Sequence, residues 1–474
     1  MDKIQNSDYR EFAPRIGIAW SPGQNWAIRA SYGVFIAPRD AENYTDGATA
    51  AFFSGDYLQG TAPTESTPGT PAFKLDVGPP AGTFQIATLA SLNPGVLNYQ
   101  GVEDYPRYEP TSYVSEWLLD IQHQFMGGVM VDAGYVYTRG THENFQTDTD
   151  QAPLNELGTS CPVINEPVKG IMTNVNQNCV GPVPQYESIV AENYDGWSNY
   201  NALQIRAQKR ASYGFSFLAN YAWSKSLDTG TGGGHGSNIG TYQNAFSPIA
   251  NYGLSSFNAA DTVTGQIVWE VPFGSGRQFV LHGVLDEIVG GWRVSSLFQW
   301  HTGTPETATI GSGQDAIDPG LQDSLNAGVP NNGAGSTLFA NVVGNPNIGS
   351  PSNLGLHSQW FNPAAFTNPA PGTFGDVGRD TLIGPHFSDV DFSVSKDFPL
   401  HWREGMSLQI RADITNVFNH PNFSNPDDNV AVGSSACPAG HPNAGLFLAD
   451  CSAGTITGVT GGPRDVQIGA HFTF

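Results

Sequence analysis

From Leu408 to Thr415 every second side chain changes character. Leu408, Ile410, Ala412 and Ile414 form one set; Gln409, Arg411, Asp413 and Thr415 form the other. A period of two is that of a β-strand, whose successive side chains point to opposite faces. The polar set carries two full charges and needs water or fixed partners, while the other set is unbroken and apolar. The same alternation runs to the last residue, where Val466, Ile468, Ala470, Phe472 and Phe474 share a face. Helical patterning is nearly absent, and no apolar run approaches the ~20 residues that a membrane helix needs.

A half-buried strand of a soluble sheet alternates in the same way, so the number and spacing of such segments has to decide. Eleven are legible: Arg15–Trp20, Trp26–Ile36, Tyr113–Phe125, Val129–Arg139, Tyr200–Arg210, Phe215–Ser224, Thr262–Val271, Trp292–His301, Asp389–Lys396, Leu408–Phe418 and Val466–Phe474. After the odd-numbered segments the connections are short or moderate, with Gly127-Gly128 as a tight-turn pair. After the even-numbered ones they are long. A membrane barrel with short periplasmic turns and long external loops has this arrangement; a soluble sandwich has no reason to place every long loop at one end. Phe215, Phe217, Tyr221 and Trp223 make an aromatic face expected to point outward, with Gln204, Arg206 and Gln208 inward.

Composition is compatible. Glycine (56) and proline (33) are frequent and charged residues are only 13%, which suits many short strands and long loops. Mean hydropathy is −0.25, as expected where lipid-facing and lumen-facing residues cancel in any window. A net charge of −23 excludes nucleic acid as a partner, since that calls for a basic face. The four cysteines fall into two local pairs, Cys161 with Cys179 and Cys437 with Cys451. Their spacing does not match a zinc site and predicts two loop disulfides formed in an oxidising compartment. The histidines are scattered, His142 beside Glu143 at an expected loop start and His235 in a glycine-rich loop, without HExxH spacing. Asp148 with Asp150, Asp315 with Asp318, and Asp427 with Asp428 are acidic pairs, but none matches an EF-hand loop. No catalytic constellation, metal motif or cofactor motif emerges. The loop between the second and third segments is strongly acidic, with Asp40, Glu42, Asp46 and Glu109 among its carboxylates, a field that attracts cations.

RADITNVFNHPNF, preceded by GRDTLIGPHFSDVDFSVSKDF and followed by a strand ending in Phe474, resembles the C-terminal barrel of TonB-dependent outer-membrane receptors, in the branch that carries a carboxypeptidase-regulatory-like domain. EFAPRIGIAW, YNALQIRAQKR with FSFLANYAWSKSLD, and GGWRVSSLFQWHTGTP extend the likeness over nearly the whole chain. It implies an all-β antiparallel transmembrane barrel portion in the Gram-negative outer membrane. Such receptors have about 22 strands, so residues 1–474 read as the second half of that barrel, with the plug that contacts TonB missing. The start MDKIQNSDYREF has neither the basic nor the apolar region of a signal peptide, which fits a fragment. The implied function is uptake of a scarce nutrient; siderophore, glycan, cobalamin and peptide ligands all stay open. Asp120, Arg206, Arg411 and Asp413 would face the lumen, paired across strands or touching the plug. Phe472 and Phe474 would be read by the barrel assembly machinery, and lipid would cover the outer face. A passive channel or adhesin-like barrel is the alternative; a soluble hydrolase lacks any site. Without the other half, the first and last strands are expected to leave the sheet open.

Overall fold

The expected strands all form. In chain order they are β1 (Arg15–Gly23), β2 (Trp26–Ile36), β3 (Tyr113–Gln124), β4 (Val129–Asp148), β5 (Tyr186–Ser212), β6 (Phe215–Asp228), β7 (Asp261–Glu270), β8 (Trp292–His301), β9 (Phe387–Pro399), β10 (Ser407–Thr415) and β11 (Asp465–Thr473). They lie in one antiparallel sheet in the order of the sequence, each hydrogen-bonded to its neighbours along the chain. The computed structural model describes residues 11–36, 100–104, 110–148, 164–168, 171–175, 186–230, 244, 247–274, 277–312, 337–349, 354–369, 373–400, 406–433 and 435–474.

Tight turns set the register at one end of the sheet. Gly127 and Gly128 have φ of 81° and 77° between β3 and β4, and Tyr213 and Gly214 have φ of 53° and 77° between β5 and β6. Two successive residues at positive φ make a turn whose twist matches that of the flanking strands. At Gly214 a Cβ would also sit 2.5 Å from the carbonyl oxygen of Glu270, so this position has two reasons to be glycine.

Three features depart from the sequence reading. First, β4 continues to Asp148 and β5 begins at Tyr186, so this hairpin projects well past the expected Val129–Arg139 and Tyr200–Arg210. The extension pairs THENFQTD with residues 190–197; Phe145, the one apolar residue of THENFQTD, is buried, but a single apolar residue sets no alternation. His142 and Glu143 therefore lie within the strand, at a register shift between Thr141 and Phe145, and not at a loop start. Second, the β7–β8 connection holds a short helix, α1 (Val284–Val289). Third, the described parts of two long connections at the far end, β8–β9 and β10–β11, are folded together. The β8–β9 and β10–β11 arms share one core, in which Phe339, Phe361, Phe366 and Leu382 of the first arm pack with Val430 of the second. Backbone bonds join the arms, including Thr309 N to Asp428 O (2.9 Å) and Val430 N to Thr309 O (2.7 Å). We call this unit the cap.

The barrel is not closed. Among the described residues β1 pairs only with β2, and β11 only with β10.

Candidate functional site

Residues opposite one another in an antiparallel ladder share a face, so the registers fix the two faces of the wall. One runs through Arg29, Asp120 and Gly134 to Gln204, and from Arg206 through Asn220, Thr264 and Gln299 to Asp389. Two and four residues along β9, Asp391 and Ser393 continue it, and Ser393 stands opposite Asp413. The other face carries Ile18, Leu119, Ile205, Phe217 and Trp223. It is apolar yet open, with Ile18 at 68% and Trp223 at 60% exposure, as a lipid-facing surface must be. Arg206 and Phe217 thus lie on opposite faces.

Asp120, Arg206, Arg411 and Asp413 share the polar face but do not converge. Asp120 is buried and accepts from Arg29 Nη1 at 2.9 Å. Arg206 donates to Gln208 Oε1 at 2.9 Å. Arg411 Nε lies 2.7 Å from Asp413 Oδ1 and 3.2 Å from Ser393 Oγ. Each of these four side chains therefore has a polar partner close by on its own stretch of wall. Arg29 was not singled out by its sequence, because a cross-strand partner is visible only once the register is known. Between β6 and β9 the same face holds a depression of about 340 Å³, lined by Asn220, Thr264, Gln266, Gln299, Asp389 and Asp391.

The cap is clamped to the wall by Arg379. Its side chain and that of Asp228 are each 6% exposed and form an ion pair. Arg379 Nε also donates to Asn251 O at 2.8 Å and Nη2 to Asp228 O at 2.7 Å. One guanidinium so ties the β8–β9 arm to the top of β6 and to the β6–β7 arm. Beside it, Asp380 N donates to Thr307 Oγ1 at 2.8 Å, and that hydroxyl donates to Asp380 Oδ1 at 3.1 Å. Glu306, from the β8–β9 arm, faces Asp427 and Asp428 from the β10–β11 arm. Burial, then the charge of Asp428, pushes the Glu306 carboxyl up to about 8. Burial, then the charge of Asp427, pushes Asp428 up to about 6. Asp427 instead accepts from Ser452 Oγ at 2.6 Å. Among the described residues no three His, Cys, Asp or Glu side chains are grouped to hold a metal ion.

Cys437 and Cys451 are joined by a disulfide inside the β10–β11 arm. Cys161 and Cys179 lie outside the described residues, as do His235, Asp150, Asp315, Asp318 and, of the acidic loop, Asp40, Glu42, Asp46 and Glu109. Phe472 ends the apolar row of β11, where it stands opposite Leu408; its ring stacks on that of Phe474, 6.1 Å away.

The family model described as outer membrane beta barrel domain matches residues 1–467. No curated protein matches the chain. Among solved structures, the outer membrane transporter YddB from Escherichia coli is 8% identical, with 97% of this chain and 40% of that one covered at a TM-score of 0.45. The FrpB iron transporter from Neisseria meningitidis is 9% identical, with coverages of 97% and 38% and a TM-score of 0.38. The siderophore receptor PiuA from Acinetobacter baumannii is 10% identical, with coverages of 96% and 35% and a TM-score of 0.38. The chain spans less than half the length of these structures.

Proposed function

The chain belongs to the family of outer membrane β-barrel domains, and from that premise we propose that it is the C-terminal wall and external cap of a TonB-dependent receptor for a scarce nutrient. The protein resides in the outer membrane, with its apolar face toward lipid. The short-turn end is then periplasmic and the cap external. The observation that carries the reading is the pair of free strand edges. An unpaired edge exposes a row of N–H and C=O groups that hydrocarbon cannot satisfy. The eleven strands therefore need further strands, and the sequence resemblance supplies a receptor barrel of about twice this number. In it the polar face, with Asp120, Arg206, Arg411 and Asp413, lines the lumen or meets the plug. The cap meets the ligand first, and the strand ending in Phe472 and Phe474 is the one the assembly machinery takes. TonB acts through the plug, not through this wall.

The test is nutrient-limited growth of cells that depend on this protein. Uptake should stop when TonB is deleted while the protein stays in the outer membrane. Uptake that persists without TonB would replace this reading with that of a passive channel.

A further inference from the structure

The β7–β8 connection stands apart from the other short turns. Its helix α1 has six residues, none of them buried. A helix of that length does not hold its shape in water by propensity alone. Its side chains divide by character. Val284, Leu285 and Ile288, spaced to fall on one side, are 74%, 63% and 60% exposed, while Asp286 and Glu287 fall on the other side. Val280, just upstream, is 56% exposed and extends the patch.

The end of the helix is fastened to the apolar face of the sheet. Trp292 Nε1 donates to Ile288 O at 2.9 Å. Lys396 Nζ donates to Ile288 O at 3.3 Å and to Gly290 O. The ammonium lies 5.2 Å from the ring centre of Trp292 and 5.0 Å from that of Phe398. Trp292 stands opposite Lys396, which stands opposite Ile410, all in the apolar register row. The exposed patch of α1 is therefore continuous with the surface that meets lipid, at its short-turn rim. Amphipathic segments seat their apolar side at the headgroup–acyl boundary, and Trp and Lys concentrate there because each joins an apolar body to a polar tip.

We propose that α1 lies in the periplasmic leaflet of the outer membrane, with Val284, Leu285 and Ile288 set among phospholipid acyl chains and Trp292 and Lys396 as its anchor to the barrel. The proposal rests on the barrel orientation given under Proposed function. Its test is a Leu285→Cys variant carrying an environment-sensitive fluorophore. The protein is purified from outer membranes and reconstituted in phosphatidylcholine bilayers, with Tyr221→Cys on the outer face of β6 as a second labelled site and wild type giving the labelling background. The label at 285 should emit blue-shifted light, resist iodide, and be quenched more by lipids spin-labelled near the headgroup than by those labelled deep in the chain. A water-like, iodide-quenched label at 285 with a lipid-quenched label at 221 would overturn the inference and leave the barrel reading standing. Water-like signals at both sites would overturn both.

Discussion

Arg379 is a buried side chain that fastens the cap to the wall. It neutralises a buried carboxylate and satisfies carbonyls from two other segments. Removing one partner of a buried pair strands the other charge and costs roughly 3–5 kcal/mol. Arg379→Ala should therefore loosen the cap, seen as faster hydrogen exchange in residues 247–258 and 373–386 while the strands keep their protection. Arg379→Met with Asp228→Leu removes both charges and should recover part of the loss. An Arg379→Ala cap as protected as wild type would remove the clamp from the account. Glu306 leads to a second expectation, in pH. An exposed Glu releases its proton near 4.5, whereas burial holds the Glu306 proton to about 8. Between these values the folded cap binds more protons than the unfolded one, so stability falls as pH rises. The contribution is complete below about 4.5 and gone above about 8. Exchange in residues 302–312 and 422–433, corrected for its intrinsic pH dependence, should quicken from pH 5 to pH 8. Glu306→Gln, which keeps the neutral form, should flatten that trend; protection that grows with pH would contradict the assignment.

Strand β6 carries the most direct test of the two faces. It starts at Phe215, directly after the short turn. A membrane strand spans the hydrocarbon in about 9–11 residues, which places Ala219 near mid-depth and Phe215 at the periplasmic rim. Arginine on the lipid face costs about 2–4 kcal/mol at the midplane and about 0–1 near the rim. The cost in urea unfolding from bilayers should thus decline from Ala219→Arg through Phe217→Arg to Phe215→Arg; equal costs, or none at Ala219, would refute the assignment. This element shows what a sequence makes legible. Wherever one face meets lipid and the other water, the alternation is forced residue by residue, so β6 and the other strands can be read directly. Where both faces meet water, nothing forces it. The outer part of the β4–β5 hairpin is less legible: in THENFQTD a single apolar residue, Phe145, stands among polar ones, so no period of two can be read there although that ring is buried. The cap is hidden for another reason: its core joins Ala308, Phe339, Phe361 and Val430, residues far apart in the chain and without a repeating period. The charges of the site are intermediate. Asp120 stands out as a carboxylate in an alternating strand, but Arg29 becomes its partner only through the β2–β3 register.

The direction of the strands constrains the whole molecule. Eleven strands in an antiparallel succession leave β1 and β11 running the same way. Closing this sheet on itself would demand one parallel pair, with its slanted and slightly less stable hydrogen bonds, whereas bacterial single-chain barrels have even strand counts that let every pair be antiparallel. Both edges are exposed along their full length, with Trp20 at 61% and Ile468 at 75%. A parallel seam between them would cover these edges, but so would further antiparallel strands, and without strand-order conflict. Cysteines placed at Ile18 and Ile468 separate the two arrangements. In the receptor barrel each edge has a different neighbour and the two positions lie far apart, so oxidation of the protein in isolated outer membranes should leave its mobility in a denaturing gel unchanged. A high yield of an intramolecular Ile18→Cys to Ile468→Cys cross-link, formed within a monomer and lost on reduction, would mean that β1 and β11 meet. The chain would then be a complete eleven-stranded pore, and the plug, TonB and active uptake would fall with the half-barrel reading.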